Sequence, residues 1–210
     1  MKRSQLIRRA EGWSDECVSG IHEPATDILE LPRTLPFADD ITTDCRLGTV
    51  RFTTAGRGAA AKINGSLARL RVGQPGKQRA ALADDILGLI CGMLAVFDWR
   101  RVDVRLDVAN HQLCPKFHCD DLTVRLMTTY AGPGTEYVHR ETPHIIHSAK
   151  PGSLLFLKGT RHPSHADSTL HRSPRLHEDQ RRVSVVIDRA EWLFSLGTPS
   201  PRRTDAARHG

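Results

Sequence analysis

The sequence predicts a mainly β chain with α (α+β). An α-rich support segment over residues 1–100 is followed by a β unit over 101–190, a sandwich or barrel with one open mouth, and a disordered polar tail over 198–210. Three observations predict this. Within residues 78–97, Leu82, Ile86, Leu89, Ile90, Met93 and Phe97 recur at three- and four-residue spacing, which buries one helix face. Beyond residue 100 the apolar pattern changes to eight short strand-like runs. Strong turn signals, Ala131-Gly132-Pro133-Gly134 and Lys150-Pro151-Gly152, punctuate those runs.

Taken in order, 27–37 and 41–52 are short segments broken by Pro24, Pro32, Pro36 and Gly48, and a further helix is placed in this region. Gly56-Arg57-Gly58 and Gly73-Gln74-Pro75-Gly76 are turns, since neither has the spacing or the Lys-Ser/Thr ending of a phosphate-binding loop. The helix over 78–97 packs on the outside of a sheet. The strands are expected at 102–108, 116–120, 122–130, 135–138, 145–147, 153–157, 168–171 and 182–187.

At 210 residues one domain is the default, with apolar content enough for a core. No apolar run approaches a membrane span, and the basic N-terminus lacks a following apolar region, so the chain reads as cytoplasmic. Five scattered cysteines do not suggest a disulfide framework. The net charge of +6 sits at the ends: residues 1–10 carry +4 and residues 200–210 carry +2, which leaves 11–199 neutral. That distribution argues against a phosphate-tracking surface for nucleic acid.

Chemistry concentrates at Phe117-His118-Cys119-Asp120. A His-x-Asp on an extended strand throws both side chains to one face, where they supply two of three facial metal ligands. His171, in Leu170-His171-Arg172-Ser173-Pro174, is the candidate third. Two histidines and a carboxylate with open positions favour non-heme Fe(II) and oxygen chemistry over a closed structural site. A second copy, His165-Ala166-Asp167, lies among Pro163, Ser164 and Ser168 rather than between strands, so the first copy is preferred. Downstream, Arg181-Arg182 opens a strand, and a guanidinium pointing into a barrel grips a carboxylate in two places. Arg125 reaches either an anionic substrate or a surface ion pair.

Other features are less telling. Cys119 alternates with the two ligands and faces the core, and Cys114 with Cys119 would supply only half of a thiolate zinc site. His139, His144, His147, His162 and His165 fall in expected loops, as solvated residues or as a second Zn(II) site. There is no Gly-x-Ser-x-Gly nucleophile elbow, and Cys91 lies inside the apolar helix.

His118-x-Asp120, Arg125-Leu-Met-Thr128-Thr-Tyr130, Thr135-Glu136, Lys150-Pro151-Gly152-Ser-Leu-Leu-Phe156, His171-x-x-Pro174 and Arg182-x-Ser184-Val, in that order, resemble the Fe(II)/2-oxoglutarate dioxygenases. The prolyl-hydroxylase-like branch is the nearest pattern, and the resemblance covers roughly residues 102–188. It implies a double-stranded β-helix, a jelly-roll or cupin-like barrel. It further implies that His118, Asp120 and His171 hold iron, that Arg182 binds the distal carboxylate of 2-oxoglutarate, and that Tyr130 supplies a hydroxyl to the same carboxylate.

A narrower resemblance rests on three blocks. These are Pro115-Lys-Phe117-His118-Cys-Asp120, Thr129-Tyr130-Ala-Gly132-Pro133-Gly134-Thr135-Glu136 and His171-Arg172-Ser173-Pro174. The chain is similar in them to a bacterial family of unassigned function whose members accompany zinc-responsive metallochaperone genes. That resemblance implies a role in metal homeostasis. Two expectations follow: an Fe(II)- and 2-oxoglutarate-dependent oxygenase acting on a small molecule or protein, or a non-catalytic Zn(II)-binding protein. Neither substrate nor oligomeric state is legible in the sequence.

Overall fold

A computed structural model of the protein describes residues 12–36, 41–42 and 44–190. The expected tail over 198–210 lies outside the described residues. Two antiparallel sheets carry the fold. The larger has six strands in the order β1-β7-β4-β9-β3-β2, and the smaller three in the order β6-β5-β8. Their ranges are β1 (Ile28–Leu31), β2 (Gly48–Thr54), β3 (Val102–Ala109), β4 (Val124–Ala131), β5 (Glu136–His139), β6 (His147–Ser148), β7 (Leu154–Lys158), β8 (Thr169–Arg172) and β9 (Arg182–Arg189). The sheets form an open sandwich, and no closed barrel exists among the described residues.

Among the described residues three α-helices precede the long strands: α1 (Asp15–Ser19), α2 (Ala59–Leu70) and α3 (Lys77–Val96). The α3 helix buries Leu82, Ile86, Leu89, Ile90 and Met93, the face the periodicity predicts. α2 buries Ala59, Ile63, Leu67 and Leu70, again at three- and four-residue spacing. Both helices cover one face of the large sheet, where Val104, Leu106, Leu126, Phe156, Val185 and Ile187 complete a single buried cluster.

The other face of the large sheet is mixed. Toward β1 and β7 it is apolar, with Met127, Leu155, Leu157 and Val186 packed together with Ala149 and Ile28. Toward β2 and β3 it is polar, because Thr49, Arg51, Thr53, Asp103, Arg105 and Asp107 occupy the alternate positions of those strands. The segment before residue 100 is therefore more than a helical support. Its β1 pairs with β7 and its β2 with β3, so it supplies both outer strands of the large sheet. No helix among the described residues is long and apolar enough to cross a membrane.

Candidate metal centre

The residues 116–120 do not form the strand expected of them. One isolated antiparallel bridge takes its place, in which His118 N–H donates to His171 C=O at 3.0 Å and His171 N–H donates to His118 C=O at 2.9 Å. Residues directly opposite in such a bridge project to the same side, and the two imidazole centroids lie 4.5 Å apart. Asp120, two residues on from His118, turns to the same place. Its Oδ1 is 3.5 Å from His118 Nε2 and its Oδ2 is 3.1 Å from His171 Nε2. The three residues each offer one ligand atom, all within 4.8 Å of one another, and they form the one such group among the described residues.

Neighbouring groups fix these side chains. His118 Nδ1 lies 3.0 Å from the Lys116 carbonyl. A carbonyl only accepts, so a neutral ring carries its proton on Nδ1 and turns the Nε2 lone pair toward the cluster. Arg125 on β4 donates from Nη1 to Asp120 Oδ2 at 2.6 Å and clasps Asp188 on β9 through Nε and Nη2, each at 2.8 Å. The turn after β7 holds the ligand loop through Thr160 N–H to Asp120 C=O at 2.9 Å and Arg161 N–H to Leu122 C=O at 3.0 Å. Gly159 permits that approach, since a Cβ there would stand 2.2 Å from the Leu122 carbonyl oxygen.

Burial pulls the Asp120 carboxyl up, but the hydrogen bond from His171 and the charges of Arg125, His171 and His118 outweigh it and hold the group down at about 2. Burial lowers His171 despite the opposing pull of Asp120. The ionised carboxylate is the state a divalent cation requires, and the two imidazoles would give up any proton they turn toward it on binding.

A second polar centre lies on the same face of the large sheet. Arg182 opens β9, is 3% exposed, and donates Nε to Pro133 C=O at 3.0 Å, Nη1 to Ser184 Oγ at 3.2 Å, and Nη2 to Thr129 Oγ1 at 3.1 Å and Thr135 Oγ1 at 3.0 Å. None of these partners is a carboxylate. Burial lowers Arg182 to about 10, with Asp107 opposing and Arg105 adding to the shift. The Gly132-Pro133-Gly134 turn explains how the Pro133 carbonyl comes so close. A Cβ on Gly134 would stand 1.8 Å from the Ala149 carbonyl oxygen, and Gly132 takes a φ of +78°. Beside Thr129 and Thr135, and lining the same small cavity, the buried Ser153 hydroxyl has no hydrogen-bond partner among the described residues.

Of the residues named from the sequence, the structure brings His118, Asp120 and His171 together and buries Arg182. Arg181 is exposed, with its Nη1 on the Cys45 carbonyl. Tyr130 requires a correction. It does lie on the face of β4 shared with Thr128, but that is the helix-covered face: its hydroxyl donates to Asp85 Oδ2 on α3 at 2.6 Å, and the same carboxylate is gripped by Arg33. The β4 hydroxyl that meets Arg182 belongs to Thr129. Sequence reasoning missed Thr129, Thr135 and Ser153, and strand alternation was the available signal for the first.

The second His-x-Asp gathers no metal group among the described residues. His165 Nδ1 lies 3.5 Å from Asp27, and Asp167 pairs with Arg140. His139 and His147 meet edge to face at 5.3 Å between centroids, with Tyr137 stacked on His147 at 5.1 Å, and His162 contacts His22. Cys119 lies 3.6 Å from the Lys158 carbonyl, and burial pushes its thiol up. Cys114 Sγ is 3.7 Å from His118 Nδ1.

The family described as "Protein of unknown function (DUF1826)" matches residues 20–188. No curated protein matches. Among solved structures, the chain is similar to a dioxygenase for auxin oxidation from rice, with 15% identity over 87% of this chain and 81% of that one and a TM-score of 0.51. It is similar also to a Pseudomonas putida prolyl-4-hydroxylase, with 13% identity over 87% of this chain and 98% of that one and a TM-score of 0.51. The fold shared with these proteins is the double-stranded β-helix.

Proposed function

The chain belongs to the DUF1826 family, and on that premise we propose that it is an Fe(II)- and 2-oxoglutarate-dependent oxygenase. One observation carries the reading: a two-histidine, one-carboxylate cluster shares a sheet face with a buried arginine that touches no carboxylate among the described residues. A desolvated guanidinium in contact with neutral oxygens alone is costly, and a bound carboxylate relieves the cost.

His118, Asp120 and His171 would hold the metal, leaving positions open. Arg182 would grip the distal carboxylate of 2-oxoglutarate, with Thr129, Thr135 and Ser153 as hydroxyl partners. Fe(II) with that cosubstrate and dioxygen supplies oxidation of a substrate C–H bond. The protein's own part is positional. Arg125 orients Asp120 through a fork anchored on Asp188, Lys116 C=O sets the His118 tautomer, and Met127, Leu155 and Val186 keep the floor between the two centres dry.

A non-catalytic Zn(II)-binding role in metal homeostasis is the second reading. It is suggested by the Cys114 sulfur, 3.7 Å from His118 Nδ1, which would have to move to join the three ligands and close a zinc site. Anaerobic titration of metal-free protein with Fe(II) and then 2-oxoglutarate separates the two. The expected result is a visible charge-transfer band of chelated keto acid, lost in His118→Ala and His171→Ala, and weakened in Arg182→Ala with metal retained. No band, with tight stoichiometric Zn(II) binding that Cys114→Ala weakens, sinks the oxygenase reading.

A further inference from the structure

Beside the metal cluster the face of the large sheet over β2 and β3 is open, and a groove of about 440 Å³ runs along it, lined by Arg51, Thr53, Asp103, Arg105, Arg125 and Asp188. That volume suits a small ligand. The groove reaches the cluster directly, because Arg125 in its wall is the residue that holds Asp120. From Arg51 on β2 to Arg125 on β4 is three strand spacings across and two residues along, roughly 16 Å.

The charges in the groove are unevenly satisfied. Every carboxylate is engaged. Asp103 accepts from Thr53 Oγ1, Asp188 accepts twice from Arg125, and Asp107, just below, accepts from Thr49 Oγ1 at 2.6 Å and from Arg105 Nε at 2.8 Å. The cations are not. Among the described residues Arg105 spends only Nε, which leaves both terminal nitrogens without a partner there. Arg51 is exposed and has no hydrogen-bond or ion-pair partner among the described residues. These two arginines stand directly opposite each other in the β2–β3 register. Like charges placed directly across a ladder destabilise it, whereas two guanidinium forks converging on one oxyanion bind it strongly.

We propose that this groove is the substrate subsite, and that Arg51 and Arg105 together grip the oxyanion of a small carboxylate- or phosphate-bearing substrate whose far end lies at the metal cluster. The word substrate rests on the oxygenase reading; the anion site itself does not. Because Asp188 and Asp120 already occupy Arg125, the incoming anion is taken by the outer arginine pair, and the neutral end of the molecule is directed inward.

The test is a calorimetric titration of the full-length, metal-free protein at low salt, once with inorganic phosphate and once with N-acetylalanine. Wild type, Arg51→Gln, Arg51→Gln/Arg105→Gln and His118→Ala are compared. The expected result is saturable binding of at least one probe. It weakens about tenfold in Arg51→Gln, as loss of one charged hydrogen-bonding partner implies, disappears in the double variant and persists in His118→Ala. Whichever probe binds identifies the oxyanion. Phosphate should also raise the thermal midpoint of wild type and not that of the double variant, which melts no lower than wild type without ligand. No binding of either probe, equal binding in the double variant, or loss in His118→Ala overturns the inference. Binding in the groove without an Fe(II)/2-oxoglutarate band leaves the anion site standing and removes the oxygenase reading. A band without groove binding does the reverse.

Discussion

Asp120 and Arg182 answer desolvation in opposite ways. The carboxylate is compensated three times over, by His171, Arg125 and His118, and stays ionised down to about 2. The guanidinium meets only neutral oxygens and is lowered to about 10. A centre for a cation is thus already neutralised, and one for an anion is left wanting. Tyr130 has no part in either centre. Removing its hydroxyl in Tyr130→Phe deletes the 2.6 Å bond to Asp85, while Arg33 keeps that carboxylate paired. Tyr130→Phe should therefore lose about 1–2 kcal/mol of stability in urea melts and keep the full 2-oxoglutarate band; a variant of wild-type stability without the band would reinstate Tyr130 at the cosubstrate. Strand alternation made His118 and Asp120 legible as a pair and set Arg182 apart from Arg181. The same alternation put Thr128 and Tyr130 on one face without saying which. Of the deciding partners, Arg33 lies in the segment whose fold the sequence left open, and Asp85 lies on the predicted helix, whose packing against β4 leaves no local trace.

Among the elements, β8 matters most because it delivers His171, and the loop leading into it is held by one buried acid. Asp27, immediately before β1, accepts from Ala166 N–H at 2.9 Å, Ser168 N–H at 2.6 Å and Ser168 Oγ at 2.8 Å. Burial alone would raise this carboxyl, but the hydrogen bonds from Ala166 and Ser168 and the charge of His165 bring it below its usual 3.8. A folded-state value below the unfolded one adds stability that is complete above the unfolded value and disappears as pH falls through the folded value. Asp27→Asn should therefore be less stable than wild type in urea at about pH 7, and the gap should narrow as the pH drops below about 4. A gap independent of pH would show that the charge of Asp27 contributes nothing. Wild type still loses stability in that range, because Asp120 titrates there too. The long elements were readable: α3 and the strands of the second half fall within a few residues of their expected bounds. α2 was not placed, though Ile63, Leu67 and Leu70 repeat at helical spacing, since glycine-rich turns on both sides drew attention to loops. The 116–120 strand failed because only His118 finds a partner across the ladder.

At the scale of the whole molecule, the change of periodicity near residue 100 marks the end of the long helix and not the start of the sheet, since β1 and β2 lie before it. β1 and β2 close both ends of the large sheet, and α2 and α3 cover its apolar face. Pairing between strands so distant in sequence leaves no local trace, so short Pro-broken segments gave no hint of their place at the edges. A fragment of residues 101–190 keeps every residue of the metal cluster and the Arg182 centre, yet it exposes β3 and β7 as bare edges. It also uncovers Val104, Leu106, Leu126, Phe156, Val185 and Ile187. At about 1.5–3 kcal/mol for each such side chain returned to water, the six together cost about as much as a whole typical domain stability of about 5–15 kcal/mol. The fragment should show no cooperative melt by circular dichroism, aggregate on size exclusion, and fail to bind Fe(II) stoichiometrically. A cooperative melt with the metal site intact would mean that the strands before residue 100 decorate a fold that stands without them. On the structure's terms they are part of what holds His118, Asp120 and His171 in place, because the sheet that positions Arg125 and Asp188 is complete only with β2 beside β3.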